Sequence, residues 1–211
     1  MNLPLVISYI IAGIIMLSII AMNISVSKSS TELTMTQITR EKASSVTEFI
    51  SQDLQKMGYN KTSRTDPIVS IALGNKIQFF SNIDNSSDKS VEAVTWELTS
   101  TGIPETQNPN DKVLLRTVYS VDILGNLGSL IEETSIELGV TGFRISYYDD
   151  YGEPLSDSLT TPVADPDQIR QMYIKISFES AEKMYYQIGG DGKYILSVWE
   201  KRFSPPNLQP N

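Results

Sequence analysis

Two short acidic stretches have the residue types that could bind a hard cation such as Ca²⁺, which prefers carboxylate and other oxygen ligands. Neither stretch has the full number and spacing of ligands that a calcium loop needs. Asp, Asn and Gly also supply the backbone geometry of solvent-exposed turns. A turn is therefore the favoured interpretation of both, and no metal or cofactor is predicted. The stretches are Asp149, Asp150 and Glu153 around Gly152, and Asp84, Asn85, Ser86 and Asp88.

The sequence contains neither Cys nor His, which removes several kinds of chemistry. Thiolate and imidazole metal sites, cysteine nucleophiles and histidine general bases are all excluded. Paired carboxylates could still act as acid and base, but they would need a cleft and shifted pKa values. Catalysis is therefore not the predicted function.

A series of aromatic residues in the second half of the chain could form a carbohydrate-binding surface. Their positions along predicted strands favour core packing and cross-strand pairs instead. The net charge of −8, with no cluster of basic residues, also argues against binding to nucleic acid. The aromatic residues are Phe143, Tyr147, Tyr148, Tyr151, Tyr173, Phe178, Tyr185, Tyr186, Tyr194 and Trp199.

The first 27 residues contain no Asp, Glu, Lys or Arg, and the first charged side chain is that of Lys28. An apolar stretch of this length can cross the hydrocarbon core of a bilayer as a helix. It is also longer than the apolar region of a signal peptide, and no Lys or Arg precedes it. We therefore predict an uncleaved transmembrane helix over residues 1–27, with a cleaved secretory signal as the alternative.

Residues 28–58 are predicted to continue the same helix. No Gly or Pro occurs between Lys28 and Met57, and apolar residues recur there mostly at three- and four-residue steps. That spacing is typical of an amphipathic helix, and Gly58 is placed to end it. The residues predicted to pack on the following domain are Val46, Phe49, Ile50 and Leu54. Those assigned to positions that can face water include Arg40, Glu41, Lys42, Glu48 and Asp53.

A helix running unbroken from about Leu3 to Met57 would be on the order of 80 Å long. That length is more than twice the thickness of the bilayer core, so the helix is expected to extend well beyond the membrane. The alternative is a membrane anchor followed by an independent helix, with a kink in the serine-rich residues 25–30.

From residue 59 onward the sequence is typical of a β-rich domain, in which β-prone runs alternate with polar turn residues. Gly74 and Asn75 separate two such runs and suit the positive φ values of a tight hairpin. Residues 154–166 are predicted to be a mobile surface loop or a contact surface for a neighbouring subunit. Strands are predicted over residues 67–73, 76–80, 91–99, 113–121, 136–149, 171–179, 184–188 and 194–202.

Together these segments predict an α+β fold. A long N-terminal helix, first transmembrane and then amphipathic, is expected to pack on an antiparallel β-sheet domain. The predicted organisation is a transmembrane helix over residues 1–27, an amphipathic helix over 28–58 and a β-rich domain over 59–211. The last segment is long enough to bury a sizeable core.

Five short motifs follow one another along this predicted fold. They are FISQDLQKMGYN at 49–60, VTWELTSTG at 94–102, VLLRTVYSV at 113–121, VTGFRISYYDDYGEP at 140–154 and FSPPNL at 203–208. Each motif is common by itself, and the specificity lies in their order and spacing across the chain. With the long N-terminal helix, they resemble type IV pilin-like proteins, in particular minor pilins of the type IV pilus and the J-type pseudopilin of type II secretion.

The resemblance implies a structural subunit rather than an enzyme. Such a subunit spans the cytoplasmic membrane once, places its β-rich domain outside the cytoplasm, and assembles into or primes a filament. The implied partners are other pilin or pseudopilin subunits, an inner-membrane assembly platform and the lipid bilayer. Small residues would let neighbouring helices approach closely once the helix leaves lipid. The predicted assembly residues are Leu3, Leu5, Ser8, Ala12, Gly13, Ile14, Leu17 and Ser18.

The start of the sequence departs from the pattern of these proteins. They usually have a short basic leader that ends in Gly, and a glutamate soon after it that is thought to pair with the terminal amine of a neighbouring subunit. Leu5 occupies the position of that glutamate if Met1 is the first mature residue. A buried charge needs a partner, and a subunit with Leu5 at this position cannot neutralise the terminal amine of a neighbour. We therefore expect a low-copy subunit at the tip of a filament or in an initiating complex.

Two other classes of function remain open at this point. The chain could be a membrane-tethered extracytoplasmic binding module or adhesin that acts outside a filament, or it could be an enzyme. Recovery in sheared filaments or crosslinked oligomers would indicate a filament subunit. A detergent-solubilised monomer would indicate a tethered module.

Overall fold

A computed structural model describes residues 3–61, 67–86, 90–122, 125–185 and 190–208. The chain divides into two compact units, Met1–Ile38 and Thr39–Asn211, and the first helix begins in one and ends in the other. Of the predicted features, Asp88, Tyr186 and residues 186–188 of one predicted strand lie outside the described residues.

Helix α1, Leu3–Gln55, runs without a break through the serine-rich residues 25–30. Hydroxyl groups along it donate to the carbonyl oxygen four residues earlier, as Thr31 does to Ser27 at 3.0 Å. Such bonds are compatible with a continuous helix, because each hydroxyl shares a carbonyl acceptor that the helix ladder already uses. The predicted continuous helix is confirmed over Leu3–Gln55, and the alternative of two separate helices is wrong.

Helix α1 ends at Gln55, three residues before the predicted limit at residue 58, and a turn follows. Gly58 has a φ of +71°, the left-handed conformation that glycine adopts without a steric penalty. Its N–H donates to the carbonyl oxygen of Phe80 at 2.8 Å, so the chain leaves the helix already tied to the sheet.

Two antiparallel sheets follow α1. The first has the strand order β1-β2-β3-β4-β5, and the second has the order β7-β6-β8-β9. Two short 3₁₀ helices, Pro166–Gln168 and Pro206–Leu208, complete the regular structure in the described part of the chain. The strands are β1 Val69–Ala72, β2 Lys76–Ser81, β3 Glu92–Gly102, β4 Lys112–Val121, β5 Leu127–Ile136, β6 Val140–Tyr148, β7 Pro154–Ser156, β8 Gln171–Glu179 and β9 Leu196–Phe203.

The core lies between the C-terminal part of α1 and the sheets. Ile50 and Leu54 are fully buried there with Val46, and Phe49 is half-buried with its ring edge-on to Trp96, the two centroids 5.4 Å apart. One long N-terminal helix packed on antiparallel sheets is the predicted α+β fold, which is confirmed.

The strand prediction needs four corrections. Residues 136–149 are not one strand, because β5 ends at Ile136 and β6 begins at Val140 after a turn at Gly139. Strand β5 was not predicted, and β7 lies in a stretch predicted to be a loop. At the start of the predicted strand 184–188, Met184 forms only an isolated bridge with Lys193.

Part of the predicted loop over residues 154–166 instead covers the outer edge of β1. Val163 is buried, and its N–H donates to the carbonyl oxygen of Ala72 at 3.0 Å. Gly74 donates to Ser158 at 2.6 Å, and a Cβ on Gly74 would lie 2.3 Å from the carbonyl oxygen of Asp157. Glycine is therefore required at position 74 for close backbone approach and not, as predicted, for a positive φ, which it does not have.

Replacing Leu54 with alanine is expected to lower the free energy of unfolding by about 2–5 kcal/mol, because the side chain is 0 % exposed in the core. Leu33→Ala is the matched control: it makes the same change on the same helix where the side chain is 71 % exposed. Denaturant unfolding of the full chain in detergent, followed by tryptophan fluorescence, measures both. Equal losses for the two variants would contradict this assignment of the core.

Candidate functional site

The N-terminal part of α1 presents its apolar side chains outward. Leu3, Leu5, Ile14 and Leu17, which are among the predicted assembly residues, are all exposed. By length and composition this helix could cross a membrane. A helix in the core of a soluble protein can meet the same criteria, but here none of the apolar window is buried within the chain.

The small and hydroxyl residues of this segment suit an apolar surrounding. Ser8 donates to the carbonyl oxygen of Pro4, and Ser18 to that of Ile14, each at 2.9 Å. Both hydroxyls are thus satisfied inside the helix, as a bilayer or a protein interface requires. Ala12 is exposed, and a Cβ built on Gly13 meets no atom within 4 Å. Gly13 therefore has no packing role within the chain itself.

The C-terminal part of α1 is joined to the first sheet by a buried ion pair. Asp53, which is 5 % exposed, accepts hydrogen bonds at Oδ2 from Arg116 Nε at 2.6 Å and from Trp96 Nε1 at 2.9 Å. Arg116 Nη2 also donates to Oδ1 at 3.3 Å. Asp53 had been assigned to the water-facing side of the helix, and that assignment is wrong because the carboxylate pairs with Arg116 of β4.

Arg116 extends this connection to a third strand. Its Nη1 lies 2.9 Å from Glu132 Oε2 on β5, and its guanidinium stacks 4.9 Å above the ring of Phe49. Burial lowers the pKa of Arg116, but Asp53 and Glu132 raise it by more, so the guanidinium is charged at every physiological pH. One buried cation thus holds α1, β4 and β5 together. We call Asp53, Trp96, Arg116 and Glu132 the Asp53 network.

The Asp53 network was not predicted from the sequence, although Asp53, Trp96 and Arg116 all lie within the motifs given above. The pairing joins residues 43 and 63 positions apart, and no local spacing reveals it. A signal was present nonetheless. A lone Arg between Leu115 and Thr117 in an otherwise uncharged β-prone run implies a buried acidic partner elsewhere.

Strand β5 forms an outer edge of the first sheet and pairs only with β4 among the described strands. Its first seven residues are exposed, and Ile131 is 58 % exposed with Leu127 and Leu130 nearby in sequence. An edge strand presents unpaired backbone N–H and C=O groups on its outer side. Together with three exposed apolar side chains, these groups make β5 a surface suited to another chain.

The described parts of the two acidic stretches form solvent-exposed turns and bends. Asp149 Oδ1 accepts from the backbone N–H groups of Tyr151 at 2.9 Å and Glu153 at 2.8 Å. In the other stretch, Asp84 Oδ1 accepts from the N–H of Ser86 at 2.8 Å. Among the residues that the structure describes, no three acidic side chains come together in a way that could hold a metal ion.

The aromatic series does not form one surface. Phe143, Tyr147 and Phe178 are buried, and the hydroxyl of Tyr147 donates to the carbonyl oxygen of Leu73 at 2.9 Å. Burial raises the pKa of Tyr147 well above its ordinary value, so this hydroxyl stays protonated. Tyr151 and Tyr185, in contrast, are exposed. Tyr186 lies outside the described residues.

No protein-family model matches this sequence, and no curated protein matches it. The functional argument therefore depends on the chain's own features. These are the exposed apolar part of α1, the Asp53 network that fixes the other end of the helix to the sheet, and the open edge at β5.

Proposed function

We propose that this protein is a structural subunit, a minor pilin or pseudopilin, that assembles into or primes a type IV pilus-like filament or a secretion pseudopilus. The observation that carries the proposal is the exposure of an apolar helix about 25 residues long, whose uncharged length fits a bilayer. Exposure of such an apolar surface to water is unfavourable, so lipid or other protein chains must cover it.

Lipid and other protein chains can each cover the apolar side chains of a helix that moves from a membrane into a filament. In lipid the apolar side chains contact acyl chains, and in a filament they contact equivalent helices of similar polarity. Little hydrophobic free energy is then lost on transfer. Close approach of helices at small residues such as Ala12 and Gly13 would supply the packing that favours the filament.

When a subunit is pulled from the membrane into a filament, its β-rich domain must stay folded and attached to α1. The Asp53 network supports this requirement, since it fixes the C-terminal part of α1 to β3 and β4 through buried, charge-assisted hydrogen bonds. The exposed edge at β5 provides a further surface for neighbouring subunits. The five motifs of the pilin-like resemblance are consistent with the same function.

Fractionation of the cells that make the protein tests this proposal. A filament subunit is expected in sheared surface filaments, or in crosslinked oligomers with other pilin-like subunits when the filament stays in the envelope. Recovery solely as a detergent-solubilised monomer, with no crosslinked species, would contradict it. Mass spectrometry of the filaments then gives the copy number, and a dominant share would exclude the minor-subunit assignment.

A membrane-tethered binding module or adhesin is the second candidate function, and the exposed apolar edge at β5 favours it. The fractionation separates the two candidates. A module that acts alone would stay in the membrane fraction as a monomer and would retain its binding partner when filament assembly is blocked.

A further inference from the structure

A cavity of about 420 Å³ opens where the end of β3 and the start of β4 meet β6 and β8 of the second sheet. Its volume lies within the range of small-molecule sites, about 300–1,000 Å³. Part of its lining is apolar, because Leu98 and Phe143 reach it from the buried core, where they are 9 % and 4 % exposed. Leu159, which is exposed, adds a third apolar side chain. The cavity can therefore cover an apolar group of about the size of a ring.

The polar part of the lining carries positive charge and no negative charge. Lys112, Arg144 and Lys175 contribute the cationic groups, and no Asp or Glu is among the residues that line the cavity. This is unexpected in a chain with a net charge of −8, in which 25 acidic residues outnumber 17 basic ones. The other polar side chains are hydroxyls and one amide. They belong to Asn75, Thr99, Ser100, Thr141 and Ser177.

The second sheet holds two of these cations next to each other. Arg144 of β6 and Lys175 of β8 are directly opposite partners in the antiparallel register. Like charges at directly opposite positions repel each other and destabilise the strand pair. An anion that contacts both side chains from the cavity would relieve this repulsion.

Each of the two cations also has a carboxylate partner outside the lining of the cavity. Arg144 Nη2 lies 2.8 Å from Asp157 Oδ2, and Lys175 Nζ lies 2.8 Å from Glu200 Oε1. A guanidinium has five N–H donors and an ammonium group has three, so each cation can bind a second anion and keep its first partner. The carboxylates therefore hold the two cationic side chains in place without using all of their donors.

Lys112 comes from the first sheet and supplies the positive charge that is not compensated. Its side chain is half-buried, and it forms no ion pair in the part of the chain that the structure describes. A half-buried ammonium group is less well solvated than an exposed one, so it gains more from an anionic partner. With Asp157 and Glu200 counted against Arg144 and Lys175, one positive charge remains at the cavity.

We propose that this cavity binds the phosphate group of a small organic phosphate monoester, whose apolar portion packs on Leu98 and Phe143. A carboxylate has two oxygens and a single charge, and one arginine can satisfy it. A phosphate monoester carries about −1.5 to −2 charges at pH 7 and has three strong acceptor oxygens, so it suits several cations at once. Serine and threonine hydroxyls are also frequent donors to phosphate oxygens.

This site is independent of the proposed filament function. All of its residues belong to the β-rich domain, and binding can be measured on the chain whether or not it assembles. Loss of assembly would therefore leave the phosphate site untouched, and absence of the phosphate site would leave the filament proposal untouched.

Isothermal titration calorimetry of the full chain, in an uncharged detergent and a phosphate-free buffer, tests the proposal with phenyl phosphate as the probe. Saturable binding of one molecule per chain is expected. Inorganic phosphate lacks the apolar portion and should bind about tenfold more weakly or less. Phenol lacks the charge and should show no saturable binding. Binding of phenyl phosphate should weaken as NaCl is added, because salt screens the attraction of the cations.

Lys112→Met removes the uncompensated charge and keeps an unbranched side chain, so it should weaken the binding of phenyl phosphate about fivefold or more. Lys112→Arg keeps the charge and should bind nearly as well as the wild type. Lys193→Met is the matched control, because it removes the charge of an exposed lysine that does not line the cavity, and its affinity should be unchanged. Thermal melting without ligand shows whether each variant is folded.

Lys175→Met gives the same test from the second sheet, at an exposed position where the change is tolerated if Lys112→Met does not fold. It should also weaken binding of phenyl phosphate. Three results overturn the proposal. They are no saturable binding of phenyl phosphate to the wild type, binding of phenol as tight as that of phenyl phosphate, and unchanged affinity in the folded cavity variants or equal losses in these variants and Lys193→Met.

Discussion

Replacing Asp53 with alanine is expected to lower the free energy of unfolding by about 3–5 kcal/mol, the largest loss of stability that we predict. The change removes the acceptor of Arg116 Nε and Trp96 Nε1, and it leaves the buried guanidinium with Glu132, whose side chain is 52 % exposed, as its remaining counter-charge. Removing the buried partner of a buried ion pair is strongly destabilising. Denaturant unfolding of the full chain in detergent, followed by tryptophan fluorescence, measures the loss.

Two further variants separate the charge effect from general damage to the helix. Glu48→Ala removes an exposed acidic side chain five residues earlier in α1 and should change stability by less than about 0.5 kcal/mol. The double variant Asp53→Ala with Arg116→Met removes both charges and should recover much of the stability lost by Asp53→Ala alone. If the double variant is as unstable as the sum of the single variants, Asp53 and Arg116 are not coupled.

Replacing Gly13 with leucine is expected to reduce recovery of the protein in filaments about tenfold or more, because the loss of about 1.4 kcal/mol of helix packing is sufficient for that change. Within the chain a Cβ at this position meets nothing, and leucine favours a helix more than glycine does. The variant should therefore fold and insert normally. Any loss of assembly must then come from contact with another chain.

Ala21→Leu is the control, since it enlarges another exposed small residue of the same apolar segment. It should leave filament recovery close to that of the wild type. Immunoblots of sheared filaments, normalised to the membrane fraction, compare the variants. Wild-type recovery of Gly13→Leu would show that helices do not pack closely at Gly13, and equal losses for both variants would indicate a general effect of bulk.

The helix and most strands could be predicted from the sequence because their signals are local. Lack of charge before Lys28 and lack of Gly or Pro between Lys28 and Met57 predict α1. Alternation of residue types predicts β2, β6 and β8. Strand β5 could not be found in this way. Its first seven residues are exposed on both faces, so they show no alternation between apolar and polar side chains.

The site predictions that were wrong concern residues whose surroundings depend on partners distant in the sequence. The spacing of residues along α1 places Asp53 on the water-facing side, whereas in the fold its carboxylate pairs with Arg116. Asp111 looks like a turn residue next to Asn110, yet it is buried in a loop whose side chains of Asn108 and Asn110 hydrogen-bond Glu179 of β8. In both cases the identity of the residue is visible in the sequence, but the dielectric environment that decides its energy is created only by the tertiary fold.

The covered edge of β1 limits how this protein can polymerise. Hydrogen bonds from one β-strand to the next can propagate without end only when both edges of a sheet are free. In the first sheet Val163 covers the β1 side by its bond to Ala72, and among the described residues only the β5 side is open. Strand addition there terminates after one partner. Continuous cross-β growth through this sheet is therefore blocked, and the proposed filament would have to form through surfaces outside it.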